Sequence, residues 1–220
     1  NSSSRPNKIH FGIIGGISLL IVIGVSFLFT GIGDKAQNSQ SLNKIVILPL
    51  DAGSADQATI NLGVGVTQDL SAGLSTAAKQ LNVLLLNDSP EDLKTLAKKA
   101  DARYILQGTL RRGGDDIRIS IKLVDAQTMN AVWSEKFDSE FSAENIFSLQ
   151  DEIVSGVIDS LVGNGAVLAQ EVARNVSMRG SSNLSAYECV NFIRGQYFKV
   201  LSPEMHAEGL SCLRQAVIDD

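Results

Sequence analysis

Residues 9–33 (IHFGIIGGISLLIVIGVSFLFTGIG) run without a formal charge between polar flanks. A bilayer-spanning helix needs about 20 apolar residues rising about 1.5 Å each, so this run predicts a membrane anchor. A cleavable signal would have a shorter apolar core, about 7–15 residues, and a small-residue cleavage site. Neither fits, and the anchor is expected to be retained. Beyond a polar linker, 34–43, the pattern changes to that of a folded domain. KIVILPL (44–50) reads as a short buried strand ended by Pro49. Residues 57–80 place Ile60, Val64, Leu70, Leu74 and Ala77 at helical spacing, although Gly63, Gly65 and Gly73 weaken that helix. NVLLLN (82–87) reads as a second buried strand. Ser89-Pro90 predicts the start of a helix reaching Ala100, with Leu93, Leu96 and Ala97 inward.

The pattern then turns to period two. Residues 102–112 and 117–125 predict a hairpin about Gly113-Gly114, with Ile117, Ile119, Ile121 and Leu123 inward. A turn at 126–130 leads to AVWSEKF, a third strand carrying Trp133 and Phe137 on one face. Ser142 is the expected cap of a helix to Val162 that repeats Ile146, Leu149, Ile153, Val157 and Leu161. The order β-α-β-α-β-β-β-α predicts an α/β (α+β) fold, a mixed sheet with packed helices, over 44–162. Residues 163–184 read as a linker with a helical patch at 166–174. Residues 185–220 read as a helical hairpin, its second helix opened by Ser202-Pro203-Glu204. Gly195, Phe198, Gly209, Leu213 and Ala216 resemble the small/large pattern of a tetratricopeptide repeat. One such hairpin cannot bury its own face, so more repeats are expected, and the chain reads as a segment of a longer protein.

Charge adds orientation. Arg5 and Lys8 precede the apolar run, and Lys35 with Asp34 follows it. Positive-inside counting puts residues 1–8 in the cytoplasm and 34–220 outside. Gly12 and Gly16 form a G-x-x-x-G pair, which permits close approach of two membrane helices and hence a homodimer. A formal net charge of −5 gives no basic face for direct nucleic-acid binding by this segment.

The chemistry-bearing residues do not assemble into a catalytic pattern. The two histidines, His10 and His206, have no partner at triad or metal-ligand spacing. Gly63-Val64-Gly65 lacks the spacing of a phosphate loop. Asp115-Asp116 fits an exposed turn better than a cation site. No catalytic, cofactor-binding or metal-ligating residue is expected. Arg111 and Arg112 are solvated strand-end charges or contacts for an acidic partner, and Arg118 and Lys122 on the outer sheet face are free to meet water or a partner. Cys189 and Cys212 lie almost symmetrically about the turn near Leu201-Ser202. They are either a disulfide, which suits an exported tail, or two small buried thiols.

Several runs carry a family resemblance. They are Ile47-Leu48-Pro49-Leu50, then Gly65-Val66-Thr67-Gln68-Asp69-Leu70 with Leu74-Ser75. Next come Ala102-Arg103-Tyr104-Ile105-Leu106-Gln107-Gly108 with Arg111-Arg112, Asp115, Arg118-Ile119, Leu123-Val124-Asp125-Ala126 and Val132-Trp133. Last is Ile146-Phe147-Ser148-Leu149-Gln150-Asp151-Glu152-Ile153. Together they resemble the TolB-like N-terminal domain of bacterial signalling proteins, over about 44–162. Leu50, Gln68 and Asn130 depart from its usual residues; Asn130 stands where a turn glycine is usual, which its tolerance of left-handed geometry permits. The resemblance implies a bacterial inner-membrane protein with one span and a periplasmic domain that senses or binds an unidentified protein or peptide. It also implies tetratricopeptide repeats further on. The effector, a class III adenylate/guanylate cyclase or a CadC-type winged-helix domain, would lie N-terminal to this segment. The alternative is a stand-alone envelope adaptor. The resemblance brings no cofactor and no catalytic residue.

Overall fold

The computed structural model describes residues 41–53, 55–90, 92–142, 144–163, 165–179, 184–197 and 202–219. The apolar run 9–33, its flanks and the Gly12/Gly16 pair lie outside the described residues. The described strands are β1 (Ser41–Ile47), β2 (Asn82–Leu85), β3 (Ala102–Gly113), β4 (Asp116–Asp125) and β5 (Ala131–Glu140). The helices are α1 (Gln57–Ala77), α2 (Leu93–Ala100), α3 (Ile146–Val162), α4 (Val167–Arg179), α5 (Ala186–Tyr197) and α6 (Pro203–Asp219).

The strands form one mixed sheet in the order β2-β1-β3-β4-β5. β1 runs parallel to both β2 and β3, and β3-β4-β5 is an antiparallel meander. The expected α+β architecture is therefore present. The chain leaves β1 in one direction to reach β2, then returns past β1 to reach β3. Right-handed crossovers place the two connecting helices on opposite faces. α1 lies on one face and α3 returns to it, so that Ile45, Ile47, Tyr104, Leu106, Ile119, Ile121 and Leu123 meet Leu62, Val66, Leu70, Leu149, Ile153 and Val157. α2 lies on the other face, where Ala97 joins Val46, Leu48, Ile105 and Val124.

Several elements differ from the sequence expectation for identifiable reasons. β1 begins three residues earlier than expected, at Ser41, because Ser41 pairs with Ala102 of β3. β2 is an edge strand, not a buried one; its residues alternate exposed and half-buried, and Leu84 is 40% exposed. The buried face of α1 is Thr59, Leu62, Gly63, Val66, Thr67, Leu70 and Leu74. Ile60 and Val64 lie beside it, and Ala77 is exposed. The face is rotated because the glycines belong at the α1–α3 contact. A Cβ on Gly65 would lie 2.5 Å from Gln150 Oε1, and one on Gly73 would collide with Ile158 Cδ1. Residues that weaken the isolated helix let α3 approach it.

The caps also shift. Asp92, not Ser89, caps α2, its carboxylate accepting from the Lys94 and Thr95 amides at 3.0 and 3.2 Å. Those bonds, with the Thr95 hydroxyl first, hold the Asp92 carboxyl below the usual carboxylate range. Asn145, not Ser142, stands at the cap position of α3; its Oδ1 accepts from the Ser142 amide at 2.9 Å. The left-handed residue of the β4–β5 turn is Met129 (φ 59°), not Asn130.

Residues 167–179, expected within a linker, form α4, which is closely packed. Leu168 enters the main core, while Val172 and Val176 join Leu42, Cys189 and Ala216 in a further cluster. Gly163 and Gly165 (φ +72°) separate α4 from α3. Together α3 and α4 are long and apolar enough to cross a bilayer by length and composition, yet the apolar side of α3 lies on the sheet. α5 approaches α4 through Gly195, where a Cβ would lie 2.7 Å from the Ala169 carbonyl oxygen. Cys189 of α5 and Cys212 of α6 are joined as a disulfide, with Cα atoms 5.8 Å apart.

A buried polar group ties α4 to the sheet. Arg103 of β3 donates through Nε and Nη2 to Asp125 Oδ2 at the end of β4, at 3.0 and 2.7 Å. Its Nη2 also donates to Asn175 Oδ1 of α4 at 2.9 Å. The other Asp125 oxygen accepts from the Gln127 and Thr128 amides. All three side chains are more than nine-tenths buried. Beside them Glu171 is also buried, which raises its carboxyl pKa, offset in part by Arg174. Removing one partner of a buried pair strands the other charge. Arg103→Ala is expected to cost about 3 kcal/mol, the low end for such pairs because Asp125 keeps two amide donors. Asn175→Ala is expected to cost less, about 1–2 kcal/mol. Denaturant titration of both variants checks the order; equal losses would contradict it.

Candidate functional site

α2 covers only the β1/β3 end of its face. The same side of β3, β4 and β5 is polar. Opposite residues of an antiparallel pair share a face, and the register puts Gln107, Thr109 and Arg111 beside Lys122, Ser120 and Arg118, and these beside Ser134, Lys136 and Asp138.

A groove of about 600 Å³ opens on this face. Its floor is Gln107, Thr109, Ser120, Lys122 and Ser134, and its wall is Leu48, Pro49, Leu50, Pro90 and Leu93. Small-molecule and cofactor pockets span about 300–1,000 Å³. The wall follows from local sequence. Pro49 has no N–H, and the β1–β3 ladder, which ends with the Leu48 amide on the Leu106 carbonyl, is broken there. Pairing resumes when the Asp51 amide donates to the Gly108 carbonyl at 3.0 Å and the Leu110 amide to the Asp51 carbonyl at 2.8 Å. Between these points Leu50 turns its side chain to the α1 side of the sheet, over Gly108, so that Pro49 is left at the groove wall. A Cβ on Gly108 would come within 2.6 Å of both Leu50 Cδ2 and the Ser120 carbonyl oxygen. The Leu50 amide donates to Thr67 Oγ1 at 3.2 Å, and that hydroxyl donates to the Gly63 carbonyl, fixing the loop to α1.

The four basic residues singled out from sequence do not form one patch. Arg111, Arg118 and Lys122 share the open face. Arg112 turns to the opposite side, where its guanidinium donates to the Gly114 carbonyl at 2.8 Å and to Asp56 Oδ2 at 3.1 Å, and stacks 4.4 Å from the Phe141 ring centroid. Arg118 is held by Asp138 in a two-bond pair at 2.5 and 3.0 Å. Those bonds lower the Asp138 carboxyl pKa and raise that of the Arg118 guanidinium. Among the described residues, Arg111, Lys122 and Lys136 are in no ion pair within 4.0 Å. Asp51, at the rim, turns its carboxylate to the Gly53 amide at 2.8 Å. Among the described residues no three His, Cys, Asp or Glu side chains gather as a metal site.

Residues 39–156, more than half of the chain, match the family described as the second domain of HilA/YgeH-like transcriptional regulators. The chain belongs to this family. A Rhizobium meliloti (strain 1021) protein carrying the name adenylate cyclase 3 is 30% identical over 150 residues. That match covers 66% of the chain and only 24% of the relative, so the chain spans about a quarter of the relative's length. Among solved structures, the PelC dodecamer from Paraburkholderia phytofirmans is similar at TM-score 0.41 and 17% identity, covering 53% of this chain and 84% of that one. TolB from Acinetobacter baumannii is similar at TM-score 0.38 and 14% identity, covering 55% and 28%.

In this HilA/YgeH-like domain the sequence reading missed Lys136, Thr109 and Ser134, and the whole apolar wall of the groove. Strand parity could have found the first three. The wall could not be found that way, because the Pro49 loop and Leu93 line one groove only when both crossovers have been made. Gly108→Ala is expected to destabilise the domain by about 1–3 kcal/mol, the usual overpacking cost. Gly113→Ala, with open space around its Cβ, should stay within about 0.5 kcal/mol of the parent. Thermal melts of the pair check this, and equal effects would show that Leu50 does not seat on Gly108.

Proposed function

We propose that this chain is the membrane anchor and extracytoplasmic recognition region of a bacterial signalling protein, and that its domain binds a protein or peptide on the open sheet face. The observation that carries the reading is a groove with a polar floor and an apolar wall, in a domain belonging to a transcriptional-regulator family. The resemblance to TolB-like domains supports the same role. The effector would lie N-terminal to Asn1. The curated relative's name favours a nucleotide cyclase, and the family a DNA-binding domain. Residues 9–33 would cross the inner membrane with 1–8 in the cytoplasm, the Gly12/Gly16 pair offering a contact for a homodimer. A disulfide between Cys189 and Cys212 suits an oxidising compartment outside the membrane. α5 and α6 would open a series of tetratricopeptide repeats. Occupation of the groove would shift the protein between two arrangements of its membrane helices, by binding one more tightly than the other.

Two measurements test this. In the full-length protein, Ser120→Trp fills the groove floor; effector output should change while the thermal midpoint does not. Unchanged output would overturn the recognition role. Alkaline phosphatase fused after Asp220 should be active in intact cells; an inactive phosphatase with a fluorescent cytoplasmic reporter at the same point would overturn the export of residues 34–220.

A further inference from the structure

Three cations on the open face share a pattern. Lys136 of β5 stands opposite Ser120 of β4, so Lys122, two residues along β4, is its diagonal neighbour, about 7–8 Å away. Arg111 stands opposite Arg118 on the far side of Ser120. Asp138, two residues from Lys136 on the same strand face, is paired with Arg118. Thr109, Ser120 and Ser134 fill the spaces between the cations and supply hydroxyl donors.

Alternate side chains of an extended peptide are spaced about 6.6–7 Å, close to the Lys122–Lys136 diagonal. A peptide with acidic residues two apart would meet both ammonium groups at once. One apolar side chain beyond them would reach the wall of Pro49, Pro90 and Leu93. We propose that the open face binds an extended acidic peptide segment of a partner protein, through Lys122, Lys136 and Arg111, with an apolar anchor in the groove. This rests on the recognition role proposed above and names its ligand class. Nucleic acid and anionic membrane fit less well. Neither offers a side chain to the apolar wall.

The test is fluorescence anisotropy of the full chain with a labelled probe peptide, acetyl-Glu-Leu-Glu-Leu-Glu-Leu-amide. Its Gln-for-Glu counterpart is the control. The acidic probe should bind at least about tenfold more tightly than the control at low salt, as several charge pairs on one face allow. Binding should weaken as salt rises. Lys122→Glu with Lys136→Glu should abolish the preference with an unchanged thermal midpoint. If that double variant unfolds, Lys122→Gln with Lys136→Gln replaces it and should bring acidic and control probes to equal affinity. Equal binding of the two probes to the parent chain would overturn the proposal. So would a preference that survives both double variants, or equally tight binding of a single-stranded oligonucleotide or of phosphatidylglycerol vesicles. If the acidic probe fails while Ser120→Trp still changes effector output, the groove recognises something else and the recognition role stands.

Discussion

Among the described residues, helices α1 and α3 cover one face of the sheet from β1 to β5, whereas the other face carries α2 alone, seated at its β1/β3 end. The inequality follows from chain direction. Two crossovers in opposite directions across β1 each place one helix, on opposite faces. The meander β3-β4-β5 needs no crossover and brings no helix to the α2 side. One face is therefore close-packed and apolar, and the other must be polar wherever α2 does not reach. The groove lies at the boundary between the two regions, and its wall is the loop that carries the chain off β1.

The buried Arg103–Asp125–Asn175 group is the second constraint. It joins the start of β3, the end of β4 and the middle of α4 in one hydrogen-bonded unit. Burying a charge pair contributes little net stability, but breaking it costs a great deal. Such a group therefore fixes where α4 sits more than how stable the fold is. α5 and α6 follow α4 through Gly195 and the shared cluster around Val172 and Cys189.

Much of this architecture is legible in the sequence, because strand and helix periods are strong local signals. Ile117 to Leu123 and Leu149 to Leu161 point inward as their spacing predicts. What local pattern cannot register is approach between distant segments. Gly65 and Gly73 read as helix weaknesses and are contact points. NVLL reads as buried because it is apolar, yet its place at the sheet edge leaves Leu84 exposed. Asp92 takes the cap of α2 from Ser89 because its side chain reaches the Lys94 and Thr95 amides. The helical patch at 166–174 is legible, but the packing of α4 was hidden because its polar residues, Glu171 and Asn175, look solvated until Arg103 and Asp125 are brought beside them. For the site, parity gave Arg118 and Lys122 one face. The separation of Arg112 from Arg111 follows from the same parity, which their adjacency obscured.

The proposed recognition role requires that the α2-side face of β4 and β5 be open. Amine acetylation of the native full chain, read by mass spectrometry lysine by lysine, shows whether it is. Lys122 and Lys136 should react as fast as Lys94 and Lys98, which are exposed on α2. Slow reaction at Lys122 and Lys136 beside fast reaction at Lys94 and Lys98 would mean that the face is covered and that recognition lies elsewhere.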